Sequence, residues 1–227
     1  MRATAILPIK RYSRAKSRLL GSIDARGRAT LLRAMESDVL RALDAAESIE
    51  RVIVVSGEKR AEQVAMESAK RLKTPIEVLR DPDDAGHSDA AVLGIIRALS
   101  LGAKCTALLP GDCPLLDAGE LDGALGRSEE RTVAVIPDRH GTGTNGLLLF
   151  PGDAIGPAFG EGSCARHLDR ASRAGFDGRL EVLPSLALDL DTADDLAALR
   201  EVLTAEPGRA PATSDALQAL QALRASE

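Results

Sequence analysis

The chain has very few aromatic residues. Only 2% of its 227 residues are Phe, Trp or Tyr, and there is no Trp and a single Tyr. Proteins that bind single-stranded nucleic acid stack the bases on aromatic side chains, and this sequence does not supply such a platform. The formal net charge of -5 and the pI near 5.4 also argue against a surface that holds a nucleic acid by a general positive field. We therefore expect a small-molecule ligand and no nucleic acid partner.

Cysteines and long apolar runs are scarce as well. Cys105, Cys113 and Cys164 lie far apart and lack the CxxC spacing of a zinc site, so we expect buried thiols in a reducing cytosol. The amino-terminal segment has a short apolar run before Pro8, too short for a signal peptide or a membrane span. The expectation is a cytoplasmic protein without membrane contact.

What the sequence does contain is an alternation of short apolar runs with longer amphipathic stretches. This pattern predicts an α/β fold with a Rossmann-like, mixed but mainly parallel sheet flanked by helices. The predicted strands are 3–8, 51–56, 76–79, 106–109, 132–137, 146–150 and either 180–182 or 186–188, and the predicted helices are 25–46, 60–72, 90–101 and 164–174. In such sheets ligands bind at the carboxyl ends of the strands.

The end of the chain differs in composition. From Ala205 the sequence is rich in proline and small residues, which is typical of a linker, and residues 215–226 are predicted to form a helix. Leu217, Leu220 and Leu223 give that helix an apolar face. We expect a main domain of residues 1–204 and a tail of residues 205–227, whose helix docks on the domain or on a second subunit in a homodimer.

A basic loop follows the first predicted strand. Residues 8–19 read PIKRYSRAKSRL and carry five cations, of which Lys10, Lys16 and Arg18 are predicted to neutralise a triphosphate at the ligand crevice. The alternative is an ordinary solvated basic loop. Since the whole protein is acidic, a local cluster of cations favours the first interpretation.

Three aspartates are candidate ligands for Mg²⁺. Asp112 follows the strand that ends near Leu109, whereas Asp189 and Asp191 lie two residues apart and share one face if that segment is extended. Paired carboxylates beside phosphates suit a hard divalent cation. The alternatives are that Asp112 caps a turn or helix, and that Asp191 or Thr192 caps a helix starting at Ala193.

Glycine-rich turns provide candidate anion sites. Residues 138–146 read DRHGTGTNG, and residues 159–163 read FGEGS and place Ser163 at the cap of a helix, although either turn can also be an ordinary loop. His140 and His167 are predicted to be surface or packing residues. In the segment GHSDAA at 86–91, Ser88 or Asp89 is predicted to cap the next helix, with recognition of a nucleobase as the alternative.

In combination these motifs resemble the 2-phospho-L-lactate guanylyltransferase family, also described as phosphoenolpyruvate guanylyltransferases, which act in coenzyme F420 biosynthesis. The resemblance covers roughly residues 3–203. It depends on the order and spacing of six short motifs: PIK at 8–10, AKSRL at 15–19, PGDCP at 110–114, GTGTN at 141–145, FGEGS at 159–163 and DLDT at 189–192.

This resemblance implies a nucleotidyltransferase fold of the GT-A type and transfer of GMP from GTP to a small phosphorylated acid, with release of pyrophosphate. It implies Mg²⁺ held by Asp112, Asp189 and Asp191. Residues implied to contact the acid are Thr144, Gly160 and Ser163. Catalysis is assigned to Lys10, Lys16, Arg18 and Asp112, and nucleotide binding to Pro8, Lys16, Gly86, Ser88, Asp89 and Gly111.

The acceptor stays open at this point. The family commonly has a GLN-type sequence near Gly86, whereas this chain has GHSD. Phosphoenolpyruvate and 2-phospho-L-lactate are placed ahead of 3-phospho-D-glycerate. The alternatives are a nucleotidyltransferase for a sugar phosphate or a molybdenum cofactor precursor, and a nucleotide-binding protein without catalysis.

Overall fold

A computed structural model describes residues 2–9, 23–81 and 86–225 of the chain. Its strands are β1 (Ala3–Ile9), β2 (Ile49–Ser56), β3 (Ile76–Arg80), β4 (Thr106–Leu108), β5 (Thr132–Pro137), β6 (Thr144–Phe150) and β7 (Asp177–Leu180). Its helices are α1 (Ala25–Ala45), α2 (Lys59–Ala69), α3 (His87–Ser100), α4 (Ala118–Gly126), α5 (Ser163–Arg173), α6 (Pro184–Ala187), α7 (Ala193–Ala205) and α8 (Pro211–Ala225).

The strands described form one sheet in the order β3-β2-β1-β4-β6-β5-β7. Strands β1 to β4 pair in parallel, β6 runs antiparallel to both β4 and β5, and β7 pairs in parallel with β5. The central strands are buried along nearly their whole length, as expected for a sheet covered on both faces. The predicted mixed, mainly parallel α/β sheet is confirmed.

The direction of winding reverses beside β1. The chain passes from β1 outward to β2 and β3 and then returns to place β4 on the other side of β1. Such a reversal opens a crevice at the carboxyl ends of the two strands, where ligands of α/β proteins bind. The crevice therefore lies between the end of β1 at Ile9 and the end of β4 at Leu108.

Helices cover both faces of the sheet. Buried residues of α1, α2 and α4 form one core cluster with β1 and β2, and buried residues of α3 and α5 form a second one on the opposite face. Helix α3 lies so close to β1 that a Cβ placed on Gly94 would be 2.3 Å from Ile6 Cγ2. Glycine at this position permits the close approach. None of the helices in the described ranges is both long and apolar enough to cross a membrane.

The carboxyl-terminal helix α8 packs on α1. Leu217 is buried in a cluster with residues of α1 and α7, Leu220 packs against the same cluster, and Leu223 is exposed. The buried carboxylate of Asp38 on α1 accepts hydrogen bonds from the backbone N–H groups of Ala212 (3.2 Å) and Thr213 (2.7 Å). A side chain of α1 thus satisfies donors of the first turn of α8, which otherwise lack a helical partner.

Some boundaries differ from the prediction. The last strand is β7 (Asp177–Leu180), which shares only Leu180 with the predicted strand at 180–182. The alternative strand at 186–188 is wrong because Pro184 opens the short helix α6 there. Proline suits the first turn of a helix, where its missing N–H would have no partner. Helix α8 begins at Pro211, four residues before the predicted start, because the N–H groups of its first turn are capped by Asp38.

Candidate active site

The turn after β4 carries Asp112 to the crevice. Asp112 is half-buried, and the following Cys113 is buried, with its thiol 3.8 Å from the carbonyl oxygen of Leu186. Gly111 lies against the end of β1, since a Cβ built on it would be 3.1 Å from Ile9 Cδ1. The turn that carries Gly111 and Asp112 therefore lies at the reversal point of the sheet.

The side chain of Asn145 holds the segment that contains Asp189. Its amide nitrogen lies 2.8 Å from the carbonyl oxygen of Leu186, 3.4 Å from that of Ala187 and 3.4 Å from Oδ1 of Asp189. Asn145 lies on β6, two residues before the residue that pairs with Leu108 at the end of β4. Asp189 and Asp112 are therefore at the same edge of the sheet.

Asp191 has a different environment. It is exposed, and its backbone N–H donates to Asp195 Oδ2 at 3.0 Å. Thr192 caps α7 and forms a capping box with Asp195, so of the two alternative caps, Asp191 and Thr192, it is Thr192 that caps this helix. Burial raises the pKa of Asp195, but hydrogen bonds from Thr192 and Asp191 and the charge of Arg139, at 2.8 Å, lower it overall.

No group of three or more His, Cys, Asp or Glu side chains within the described ranges is placed to hold a metal ion by itself. Mg²⁺ does not need such a group, because it usually retains several waters and binds through one or two carboxylates together with the phosphates of the substrate. Asp112 and Asp189 offer hard carboxylate oxygens at the carboxyl edge of the parallel strands. This donor set fits Mg²⁺ bound with a triphosphate.

Asp138 organises the glycine-rich turn that precedes β6. Its carboxylate accepts hydrogen bonds from the backbone N–H groups of His140 (3.1 Å), Thr142 (3.0 Å) and Gly143 (3.0 Å). A Cβ on Gly143 would lie 2.5 Å from Asp138 Oδ2, so a larger residue would displace this carboxylate. The turn is joined to α5 because the N–H of Cys164 donates to the carbonyl oxygen of Thr142 at 3.1 Å.

The residues predicted to contact the acid flank the start of α5. Thr144 is half-buried, and its Oγ1 lies 3.0 Å from Nδ1 of the fully buried His167. Ser163 is also fully buried, and its Oγ has no hydrogen-bond partner among the described residues. Gly160 has φ +112°, and a Cβ there would meet open space. The predicted cap at Ser163 is wrong: Gly162, with φ +68°, is the cap, and Ser163 is the first residue of the helix.

His167 makes a second hydrogen bond through its other ring nitrogen, and its surroundings keep the ring neutral. Its Nε2 accepts the backbone N–H of Ala158 at 2.8 Å. Burial, followed by the charges of Arg170 and Arg166, lowers the pKa of His167 to about 4. The imidazole is therefore neutral at pH 7.

The start of α3 contacts the loop that precedes α5. Ser88 Oγ accepts the backbone N–H of Phe159 at 3.0 Å, and the rings of His87 and Phe159 meet edge to face with centroids 4.7 Å apart. Gly86, with φ +141°, is the cap of α3, and no side chain caps this helix. The prediction that Ser88 or Asp89 caps α3 is therefore wrong. Asp89 is exposed in the first turn.

Pro8 is the one remaining predicted contact that lies within the described residues. Pro8 is buried in β1 and pairs with Val55 of β2. The predicted cations Lys10, Lys16 and Arg18 lie outside the described residues.

Sequence reasoning missed the contributions of His167 and Asn145. Ser163 and His167 are four residues apart on α5, a spacing that places both on one helix face, and this was the available signal for His167. Asn145 belongs to the GTGTN motif but had no assigned role. Its contacts join residues more than forty positions apart in the chain, which no local pattern reveals.

Comparisons with known proteins identify the family of the chain and its fold. The family model described as guanylyl transferase CofC-like matches residues 3–209. A phosphoenolpyruvate guanylyltransferase of Conexibacter woesei is 43% identical over 97% of this chain and 97% of its own length. One of Sphaerobacter thermophilus is 38% identical over 86% of this chain and 91% of its own. A solved nucleotidyl transferase from Methanothermobacter shares the fold, with TM-score 0.64 and 19% identity over 89% of this chain and 98% of its own.

Proposed function

The chain belongs to the guanylyl transferase CofC-like family, and we propose that it transfers GMP from GTP to phosphoenolpyruvate and releases pyrophosphate, as a step of coenzyme F420 biosynthesis. The acceptor is taken from the names of relatives that match nearly the whole chain. The family model and the fold of solved nucleotidyltransferases support the same reaction class. We place 2-phospho-L-lactate next and 3-phospho-D-glycerate after it.

One geometric observation carries the proposal. Asp112 and Asp189 come from distant parts of the chain and lie at the same edge of the sheet, where Asn145 and the contact between Cys113 and Leu186 hold them. Like charges repel, so a protein has reason to gather carboxylates at a nucleotide edge when a divalent cation accompanies the nucleotide. We propose Mg²⁺ as that cofactor, held by Asp112 and Asp189 with Asp191 contributing from the exposed end of the segment.

The chemistry asks for orientation and charge screening. A phosphate oxygen of the acceptor attacks the α-phosphorus of GTP, a new P–O bond forms, and the bond to the β-phosphate breaks as pyrophosphate leaves. Bound Mg²⁺ supplies the screening of negative charge on the triphosphate. The acceptor is itself the nucleophile, so the protein has to hold both anions in line and needs no covalent intermediate.

The proposed contacts follow from the placement of the residues. Thr144, Gly160 and Ser163 are proposed to bind the acceptor, because Ser163 offers a buried hydroxyl without a described partner at the start of α5. The nucleotide is proposed to lie along the ends of β1 and β4 and the start of α3. That surface includes the nucleotide contacts Pro8, Gly86, Ser88, Asp89 and Gly111. Lys10, Lys16 and Arg18 stay proposed partners of the triphosphate.

The direct test is an acceptor panel. Purified protein with GTP and MgCl₂ is offered phosphoenolpyruvate, 2-phospho-L-lactate, 3-phospho-D-glycerate and a sugar 1-phosphate, and pyrophosphate release is measured while mass spectrometry identifies the guanylylated product. We expect turnover with phosphoenolpyruvate. Product with the sugar phosphate alone would overturn the proposed acceptor, and GTP binding without pyrophosphate release for any acceptor would indicate a binding protein.

The proposed role of Asp112 in binding Mg²⁺ is tested with one variant and one matched control. Asp112→Asn preserves the size of the side chain but removes its charge, and we expect it to lower pyrophosphate release by about a thousandfold or more. Asp194→Asn removes an exposed carboxylate in the first turn of α7 and serves as the control. Near-normal turnover of Asp112→Asn would contradict the role of Asp112.

A further inference from the structure

A continuous set of hydrogen bonds runs from a loop backbone through His167 to Thr144. The N–H of Ala158 donates to His167 Nε2 at 2.8 Å, and His167 Nδ1 lies 3.0 Å from Thr144 Oγ1. The His167 ring has no exposed surface, and the rings of Phe159 and His167 meet edge to face with centroids 5.3 Å apart. The imidazole is therefore held on three sides in one orientation.

These contacts determine which ring nitrogen carries the hydrogen. A backbone N–H only donates, so Nε2 facing Ala158 has to be the acceptor. The ring is neutral at pH 7 because burial and the nearby charges of Arg170 and Arg166 disfavour the imidazolium. A neutral imidazole has a single N–H, which therefore lies on Nδ1 and donates to Thr144 Oγ1.

The tautomer in turn fixes the role of the Thr144 hydroxyl. With Oγ1 accepting from His167, the hydroxyl hydrogen points away from the ring and needs an acceptor elsewhere. Thr144 is half-buried at the start of β6, so this hydrogen is available to a bound molecule. Ser163, one helical turn before His167 on α5, adds a buried hydroxyl without a described partner.

We propose that His167 is a positioning residue that makes the Thr144 hydroxyl an obligatory hydrogen-bond donor to an anionic oxygen of the acceptor. This inference rests on the proposed function and adds a residue to it. His167 does not touch the acceptor, and it transfers no proton. It selects against a ligand that presents a donor at this point, because two hydrogens would then face each other.

Two substitutions of His167 separate this role from simple packing. The side-chain amide of His167→Asn can occupy the place of Nδ1 and donate to Thr144, but it leaves the N–H of Ala158 without a partner. In His167→Gln the side-chain oxygen can accept from Ala158, while the donor to Thr144 is lost. We therefore expect stability and acceptor binding to rank the two variants in opposite ways. The His167→Asn protein should be the less stable of the two but bind the acceptor more tightly, and the His167→Gln protein should be the more stable but bind it more weakly.

The measurements are the KM values for phosphoenolpyruvate and GTP and the melting temperature of each variant. In His167→Gln we expect the KM for phosphoenolpyruvate to rise about tenfold or more with the KM for GTP unchanged, and in His167→Asn we expect a rise of no more than about threefold. Thr144→Val should show the same rise as His167→Gln, and the double variant should be no worse than Thr144→Val alone. His140→Gln, at an exposed histidine, is the control.

Additive effects of Thr144→Val and His167→Gln would overturn the inference, as would losses of acceptor binding that simply follow the melting temperature. The tautomer can be determined independently of activity by ¹⁵N NMR of protein labelled at its three histidines. The signals of His167 are assigned as those that are missing from the spectrum of the His167→Gln variant. Hydrogen on Nε2 overturns the inference even in an active enzyme. A wild-type protein without turnover of phosphoenolpyruvate overturns the proposed function whichever tautomer is found.

Discussion

The buried imidazole of His167 makes the stability of the protein depend on pH in a predictable way. Its pKa is about 4 in the folded protein, because of burial and then the charges of Arg170 and Arg166, against 6.5 for an ordinary histidine. The unfolded chain therefore takes up a proton at a higher pH than the folded protein does. The stability that the neutral His167 side chain contributes to the folded protein is fully present above pH 6.5 and is lost as the pH falls through 4.

The size of the effect follows from these two values. Between pH 7 and pH 5 the difference in protonation lowers the free energy of unfolding by about 2 kcal/mol, and below pH 4 the loss levels off at about 3 kcal/mol. This is a substantial share of the stability of a typical domain, which is about 5–15 kcal/mol. Replacement by glutamine removes the titrating group and with it this part of the pH dependence.

The assay compares the wild-type protein with His167→Gln by urea unfolding at pH 7, 6 and 5. Far-UV circular dichroism is the suitable probe because the chain has no Trp and one Tyr. Contributions from the carboxylates are common to both proteins and cancel in the difference. Between pH 7 and 5 the wild type should lose about 2 kcal/mol more than the variant. Parallel pH profiles of the two proteins would refute the buried neutral imidazole, and His140→Gln controls for loss of an exposed histidine.

Three further predictions concern single contacts. Gly94→Ala should lower the free energy of unfolding by about 1–3 kcal/mol, because the added Cβ meets Ile6 at 2.3 Å; a gain from helix propensity would contradict this packing. Asp38→Ala should cost about 1–3 kcal/mol, seen as a lower urea midpoint, because α8 loses its capping carboxylate. Asn145→Ala should raise the Mg²⁺ concentration for half-maximal pyrophosphate release about tenfold, because Asp189 loses its contact with the Asn145 amide. An unchanged Mg²⁺ dependence would show that Asn145 does not position a metal ligand.

The parts of the fold that the sequence predicts well are those set by local pattern. Strand β5 matches its predicted bounds, and β1 and β2 match theirs within two residues, because strands buried on both faces of a sheet are continuous apolar runs bounded by polar residues. Helix α4 was not predicted. Its nine residues include two interior glycines, so intrinsic propensity is low, and its cap at Asp117 and its buried Leu121 and Leu125 hold it in place.

The candidate site shows where local pattern stops being informative. The positions of Asp112 and Thr144 follow from strand ends, so they could be placed in advance at the carboxyl edge. Asp189 is half-buried and in contact with Asn145, whereas Asp191 is exposed and its backbone donates to Asp195, and neither environment is readable from the spacing of the two aspartates. The tautomer of His167 depends on Ala158, a backbone donor in a separate loop, and no spacing rule foretells it.

The hydrogen bonds between Asp38 and the first turn of α8 bear on where this protein can be shortened. The family model ends at residue 209, two residues before α8 begins. A protein cut there would lack α8, so the carboxylate of Asp38 on α1 would lose its backbone partners and become exposed. The apolar residues of α1 and α7 that pack against Leu217 would also be exposed to water. We expect such a truncation to aggregate or to be degraded on expression, so that the minimal stable protein extends well past the end of the family model.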